Sequence, residues 1–172
     1  MTNIFFNKIR NIKSLLQYQR AILADKLASD KNYLTSATTF VNKANLSSST
    51  EYLIWVDTKN FKTNIFKGSQ DSWTLVHSYL CSIGKPSTPT PKGNFNIGVK
   101  GLYFGVNKGY KCRYYTQYKG NYLFHSIIYN LDGSIKDPRL GKAISDGCIR
   151  LSLENAKWIW DNIPLHTTVK IT

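Results

Sequence analysis

The chain has 172 residues, which suits one domain with a short appendage. Apolar residues make up 42% and charged residues 19%, a composition that excludes an intrinsically disordered chain. Lys and Arg number 23 against 10 Asp and Glu, so the formal net charge is +13. That charge favours anionic partners. The basic residues are scattered along the chain, however, so the composition is equally consistent with a basic protein that has no single anionic partner.

The first fifty residues are predicted to form a helical appendage and a linker. Apolar residues recur at helical spacing over residues 4–28, which predicts an amphipathic helix that either packs on its own domain or lies on a membrane. Residues 35–50 are rich in Ser, Thr and Asn and predict a linker, so we divide the chain into 1–50 and 51–172. The apolar residues 4–6 are too short a run for a signal peptide, and we expect no transmembrane segment.

The remainder predicts an α+β domain built mainly from antiparallel strands. Short β-favouring runs between polar turns predict strands near 52–56, 61–66, 73–81, 95–99, 114–118, 121–127 and 167–171. The proline-rich segment 84–93 excludes both helix and central strand. Ser152 can cap a helix that Pro164 stops. The Gly- and Tyr-rich segment 100–118 predicts a lid over a cleft or an irregular loop.

One cysteine stands in a setting that suits a nucleophile. Cys81, Cys112 and Cys148 form neither a C-x-x-C pair nor a zinc-binding spacing. We expect Cys81 and Cys112 to be free, although they can pair in an oxidising compartment. Cys148 follows Gly147 and precedes a short apolar strand, so a tight turn can present its thiol beside backbone N–H groups that stabilise an oxyanion.

A thiol nucleophile needs a base or a nearby positive charge, because its ordinary pKa is about 8.5. The chain offers three histidines, namely His77, His125 and His166. His125 lies in a predicted strand, where a histidine is more often a buried core residue than a base. Spacing alone therefore leaves the identity of the base open.

Two separated motifs resemble those of one known family. His125-Ser126, followed after a spacer by Ser145-x-Gly147-Cys148 and then Arg150, resembles the signature of the L,D-transpeptidase (YkuD-like) catalytic domain. Upstream, residues 82–85 and 88–95 resemble the family's S-T-G-K…T-P-x-G-x-F segment. The resemblance covers residues 51–172. It departs from the family at Asp146, where the family usually has His.

The resemblance implies a β-sandwich with a helix after the catalytic cysteine. It also implies Cys148 as the nucleophile and His125 as its base, with neither metal nor cofactor. Substrate-binding or supporting positions would be Ser126, Ser145, Asp146, Gly147 and Arg150. Each has another interpretation: Ser126 as an ordinary strand serine, Ser145 as a loop brace, Gly147 as a turn residue, Arg150 in an internal ion pair. Asp146 would support the site, by accepting hydrogen bonds or holding Arg150, or would slow it by raising the pKa of the thiol.

The function implied by the resemblance is peptidoglycan cross-linking. The enzyme would form 3–3 cross-links between stem peptides through a thioester at Cys148. Alternatives are an L,D-carboxypeptidase that trims tetrapeptide stems and a catalytically silenced module that binds the cell wall. The partners would be stem peptides and anionic wall polymers, with no nucleic acid because no nucleic-acid motif appears. A monomer in the cell wall or another extracytoplasmic location is expected, although no signal peptide is visible.

Overall fold

The computed structural model describes the backbone of residues 2–172 and the side chains of residues 19–20, 23–24 and 26–172. The chain divides into two compact units, Met1–Thr39 and Phe40–Thr172. It contains two α-helices, α1 (Thr2–Lys43) and α2 (Leu153–Asn162), and a short 3-10 turn at Val106–Lys108. Its strands, in chain order, are β1 (Tyr52–Asp57), β2 (Lys62–Lys67), β3 (Thr74–Leu80), β4 (Ile83–Gly84), β5 (Gly93–Asn96), β6 (Lys100–Phe104), β7 (Lys111–Lys119), β8 (Tyr122–Ser126), β9 (Ile128–Tyr129), β10 (Ile135–Asp137), β11 (Ala143–Ser145), β12 (Ile149–Leu151) and β13 (Thr168–Ile171).

Helix α1 is longer than the sequence predicts. The predicted linker over residues 35–50 is wrong as far as Lys43, because the helix continues to that residue. Thr35 and Thr38 are compatible with the helix since their hydroxyls donate to carbonyls four residues earlier, at 3.0 and 3.1 Å. The side chains of the predicted apolar face before residue 19 lie outside the described residues. No helix in the described part of the chain is long and apolar enough to cross a membrane.

The second unit contains a five-stranded sheet in the order β3-β2-β1-β13-β5. Strands β1 to β3 form the predicted antiparallel meander. Strand β13 closes the sheet by pairing parallel with β1 and antiparallel with β5. Strand β13 is thereby an internal strand of the sheet, between two strands that are far from it in sequence.

A six-stranded sheet carries the segments that form the site. Its main order is β10-β9-β7-β8-β12, and β6 pairs with β7. The segment 100–118 is therefore a β-hairpin with a 3-10 turn, not an irregular loop. Strand β12 pairs parallel with β8, in a register that sets Arg150 opposite His125. A third, two-stranded sheet joins β4 and β11 in parallel.

The hydrophobic core joins both large sheets and helix α2. Ile54 and Ile65 from one sheet and Phe124 and Ile149 from the other are fully buried in one cluster. Helix α2 adds Ile159 and its buried neighbours to that cluster. Ser152 caps this helix as predicted, since its side chain accepts a hydrogen bond from the N–H of Asn155. The predicted α+β fold with mainly antiparallel strands is confirmed.

Candidate active site

The loop between β11 and β12 presents the thiol. Gly147 has φ +106°, a left-handed conformation that favours glycine, and a Cβ at this position would overlap the ring of Tyr122. The Ser145 hydroxyl donates to the carbonyl of Cys148 at 2.6 Å and accepts from the Gly147 N–H at 3.2 Å. The loop is therefore braced from within by the side chain of Ser145.

The parallel pairing of β8 and β12 brings His125 to this loop. His125 is 5% exposed, and its Nδ1 lies 2.6 Å from the carbonyl oxygen of Ser126. Since a carbonyl can only accept, Nδ1 carries the proton in the neutral ring and Nε2 is left as the acceptor. Burial lowers the pKa of His125 to about 4, opposed by the bond to Ser126 and aided by the charge of Arg150. At neutral pH the imidazole is therefore an uncharged base.

The Cys148 thiol is half-buried, and its Sγ lies 3.6 Å from the carbonyl oxygen of Asn121. Burial raises the pKa of Cys148, a hydrogen bond from the backbone of Leu123 lowers it in part, and the nearby carboxylate of Asp146 raises it further. The resting thiol is therefore protonated at neutral pH. All three cysteines of the chain lie in its described part and are free, so Cys81 and Cys112 are not bonded to each other.

Two cavities meet at the thiol. The smaller, of about 340 Å³, is lined by Cys148, His125, Ser145, Asp146 and Arg150, among others. The larger, of about 510 Å³, also reaches Cys148, and its lining includes three aromatic and two amide side chains. Phe104 and Tyr110, at the end of the β6–β7 hairpin, line both cavities. A thiol, an uncharged imidazole acceptor and space for an extended ligand thus occur together.

A family model describes most of this unit. The model of the YkuD L,D-transpeptidase catalytic domain matches residues 51–171. The chain belongs to the L,D-transpeptidase catalytic domain family.

Individual relatives of this L,D-transpeptidase domain agree with the match. The chain is 34% identical to YciB of Bacillus subtilis (strain 168), named as a candidate L,D-transpeptidase, over 128 residues that cover 69% of this chain and 66% of YciB. It is 36% identical, with a TM-score of 0.70, to a fused Zn-dependent amidase/peptidase/peptidoglycan-binding protein from Clostridium acetobutylicum, covering 83% of this chain and 61% of that one. The chain thus spans less than two thirds of either protein.

The fold is also shared with more distant enzymes. The structure of the L,D-transpeptidase LdtMt1 in complex with imipenem has a TM-score of 0.57 and 19% identity to this chain. The match covers 71% of this chain and 59% of that one. At this level of identity the likeness concerns the fold.

The L,D-transpeptidase domain places the other predicted residues in different roles. Ser126 is fully buried; its hydroxyl accepts from the N–H of Arg113 at 2.8 Å and donates to the carbonyl of Ile127 at 2.7 Å. The Ser126 carbonyl accepts the hydrogen bond from Nδ1 of His125. Gly147 N–H is already bonded to Ser145, which makes Gly147 a turn residue in this structure. Ser126 and Gly147 thus act through their backbone geometry.

The charged residues of the smaller cavity are paired. Arg150 is 4% exposed, and its Nη1 donates to the carboxylate of Asp137 at 2.7 Å, an internal ion pair as one of the two interpretations predicted. Arg139, first, and then Arg150 hold the pKa of Asp137 well below its usual range. Asp146 does not hold Arg150. It pairs with Lys85 at 2.6 Å.

Sequence reasoning missed several residues that line or brace the cavities. Cys112, expected from the sequence only to be a free thiol, lies in the wall of the smaller cavity with Cys148. Lys85 and Thr88 both reach the nucleophile loop: the Lys85 N–H and the Thr88 hydroxyl donate to the Ser145 carbonyl at 2.9 and 3.2 Å. Their motif in residues 82–95 was a signal of their importance, but the sequence does not state which loop they meet. Among the described residues no His, Cys, Asp and Glu cluster can hold a metal ion.

Gly147→Ala is expected to damage both the fold and the rate. The substitution combines a strained φ with overlap on the Tyr122 ring, so the loop must shift and carry the thiol with it. We expect the melting temperature to fall and acylation of Cys148 to slow by at least about tenfold. Gly133→Ala is the matched control, because Gly133 has φ +93° with its nearest neighbour 3.7 Å away. Equal effects of the two substitutions on the acylation rate would contradict this account.

Proposed function

We propose that this chain is an L,D-transpeptidase that joins peptidoglycan stem peptides through a thioester at Cys148. The observation that carries the proposal is the shared cavity of Cys148 and His125, in which Nδ1 of His125 is held by the Ser126 carbonyl and Nε2 is free to accept the thiol proton. Membership of the family supports the same chemistry. Ser145 and Arg150 are proposed to support the site from the same cavity wall.

In the first half-reaction the thiol of Cys148 attacks the carbonyl on the L side of an L–D peptide bond in a tetrapeptide stem. The C–S bond forms as the thiol proton moves to Nε2 of His125. The C–N bond then breaks, and the same proton passes to the departing amine of D-alanine. The enzyme is left as an acyl thioester with a neutral imidazole.

In the second half-reaction an amine from the side chain of a neighbouring stem attacks the thioester. His125 takes a proton from that amine and returns it to the sulfur as the C–S bond breaks, which gives a 3–3 cross-link and regenerates the thiol. Water in place of the amine would make the enzyme an L,D-carboxypeptidase. The ion pair of Asp146 with Lys85 offsets part of the effect of the carboxylate on the thiol, which favours an active site over a silenced wall-binding module.

The partners follow from the same proposal. The substrates are stem peptides, and the enzyme would work as a monomer at the cell wall. The net charge of +13 would attract anionic wall polymers to a protein that already acts on the wall.

Acylation by a carbapenem tests the proposal. Because LdtMt1 is known in complex with imipenem, we expect imipenem to add its mass to this protein, as measured by intact mass spectrometry. Cys148→Ala should remove the adduct. An unmodified wild-type protein would overturn the proposal and favour the silenced module. Digestion of purified muropeptides then separates cross-linked dimers, the transpeptidase product, from trimmed tripeptides, the carboxypeptidase product.

Asp146→Asn is expected to make the thiol more reactive. Loss of the carboxylate removes one of the causes that raise the pKa of Cys148, so more thiolate is present at a given pH. We expect alkylation by iodoacetamide at pH 7.5 to rise by about two- to threefold. Asp161→Asn is the control, because it removes a carboxylate paired with Lys157 on helix α2. A slower reaction of Asp146→Asn than of wild type would contradict the expected direction.

A further inference from the structure

The carbonyl of Gly147 is held by two buried hydroxyl groups. Thr90 Oγ1 donates to it at 2.8 Å and the Tyr118 phenol donates to it at 3.2 Å. Thr90 is 6% exposed and Tyr118 is 3% exposed, so water competes little for these bonds. The two donors come from different parts of the chain, the proline-rich segment and strand β7, and converge on the peptide that precedes the nucleophile.

The orientation of this carbonyl fixes the orientation of an N–H group. The Gly147 carbonyl and the Cys148 N–H belong to one planar trans peptide, in which they point in opposite directions. The Gly147 N–H already donates to Ser145. Over the described residues, the Cys148 N–H donates to no protein acceptor. It is therefore an available backbone donor beside the sulfur.

We propose that Thr90 and Tyr118 are positioning residues that aim the Cys148 N–H at the oxyanion formed during acyl transfer. The inference rests on the proposed function, since an oxyanion forms only when Cys148 attacks a carbonyl. Hydrogen bonds to the Gly147 carbonyl also polarise its peptide, which strengthens the N–H donor at the other end. A donor already aimed at the developing charge needs no reorganisation as the reaction proceeds.

The surroundings of Tyr118 keep its phenol in place as a donor. Its ring packs against Phe95 and Phe124, with ring centroids 5.7 and 5.2 Å apart, and stacks 6.3 Å from Tyr122. Burial raises the pKa of Tyr118 far above its usual range, so the phenol keeps its proton at any working pH. The hydroxyl therefore donates to the Gly147 carbonyl throughout.

The surroundings of Thr90 direct its proton in the same way. The N–H of Gly84 donates to Thr90 Oγ1 at 2.9 Å, so the hydroxyl proton is left to point at the Gly147 carbonyl. This close approach requires glycine at position 84, because a Cβ there would overlap the backbone of Thr88 and Thr90. Thr90 belongs to the segment that resembles the family's S-T-G-K…T-P-x-G-x-F motif. This segment thus contacts the nucleophile loop at the Gly147 carbonyl.

Two reactions of the same sulfur separate this role from a purely structural one. Acylation by imipenem passes through an oxyanion, whereas alkylation by iodoacetamide needs a thiolate and forms no oxyanion. We expect Tyr118→Phe to slow acylation by about tenfold, less than the loss of an oxyanion donor itself, while alkylation at the same pH stays within about twofold. Thr90→Val should act in the same direction, and Thr90→Ser, which keeps the hydroxyl, should restore the acylation rate.

The controls make each outcome decisive. Tyr79→Phe removes a half-buried phenol on β3, an edge strand of the five-stranded sheet that lines neither cavity, and should leave both rates unchanged. An equal fall of acylation and alkylation in Tyr118→Phe, or no change in either, overturns the inference while leaving the proposed function standing. A wild-type protein that is alkylated but never acylated overturns the proposed function, and this inference with it. Melting temperatures of all variants show whether a loss of rate is a loss of fold.

Discussion

Cys148→Ser is expected to abolish turnover and leave the fold intact. The substitution replaces one sulfur by oxygen at a half-buried position, so packing changes little. A serine hydroxyl is a far weaker nucleophile than a thiol, and the neutral imidazole of His125 is a weak base for it, since burial holds its pKa at about 4. We expect the rate of cross-link formation to fall at least about a thousandfold, as removal of a nucleophile does in other acyl-transfer enzymes.

The measurement is turnover of purified muropeptides, with circular dichroism to show that the fold is kept. Cys81→Ala is the matched control, because Cys81 is a free thiol in the hydrophobic core. Cys81→Ala should lower the stability of the protein and leave its turnover rate unchanged. Turnover retained by Cys148→Ser, or lost equally in Cys81→Ala, would place the nucleophile elsewhere.

His125→Gln is expected to slow acylation by about a hundred- to ten-thousandfold, the usual contribution of a general base. The pKa of His125 is lower than its ordinary value and that of Cys148 is higher. At neutral pH the two groups are therefore a neutral imidazole and a protonated thiol. The proton must therefore move to the ring as the sulfur attacks. Glutamine keeps the size and polarity of the site but cannot accept that proton, so the loss should appear in the acylation rate and not in the melting temperature.

The pH dependence of acylation gives the same test a second readout. A base works only when unprotonated, so the wild-type rate should fall as the pH drops through about 4, the pKa of His125. In His125→Gln the rate should instead depend on the small thiolate fraction and rise with pH up to the raised pKa of Cys148. A wild-type rate that rises tenfold per pH unit across the neutral range would show that His125 does not take the proton.

Local patterns predicted much of the fold. Short β-favouring runs between polar turns indicated β1 to β3, and Ser152 and Pro164 marked the limits of the last helix. Local composition misled at residues 35–43, because threonine hydroxyls bonded to carbonyls four residues earlier are compatible with a helix. The parallel pairings of β1 with β13 and of β8 with β12 join segments distant in sequence, and no periodicity in either partner reveals them.

The same limit applies to the site. Cys148 and His125 are predicted as nucleophile and base because the motifs around them resemble a family signature, not because their spacing indicates a pair. Thr90 and Tyr118 lie 57 and 29 residues from Gly147, and their hydroxyls look like those of any loop threonine or strand tyrosine until the fold brings them together. The sequence likewise does not predict that Cys112 lines a cavity, because this depends on the pairing of β7 with β8 and β9.

The position of the thiol where two cavities meet has a kinetic consequence. Of the two cavities, His125 lines only the smaller, and in the proposed reaction it protonates the first departing amine and deprotonates the incoming one. D-alanine and the second stem would therefore occupy the same space in turn, while the acyl chain stays in the larger cavity. A ping-pong rate law follows. Free D-alanine would compete with the second stem for the acyl-enzyme, and its attack on the thioester would reform the tetrapeptide substrate.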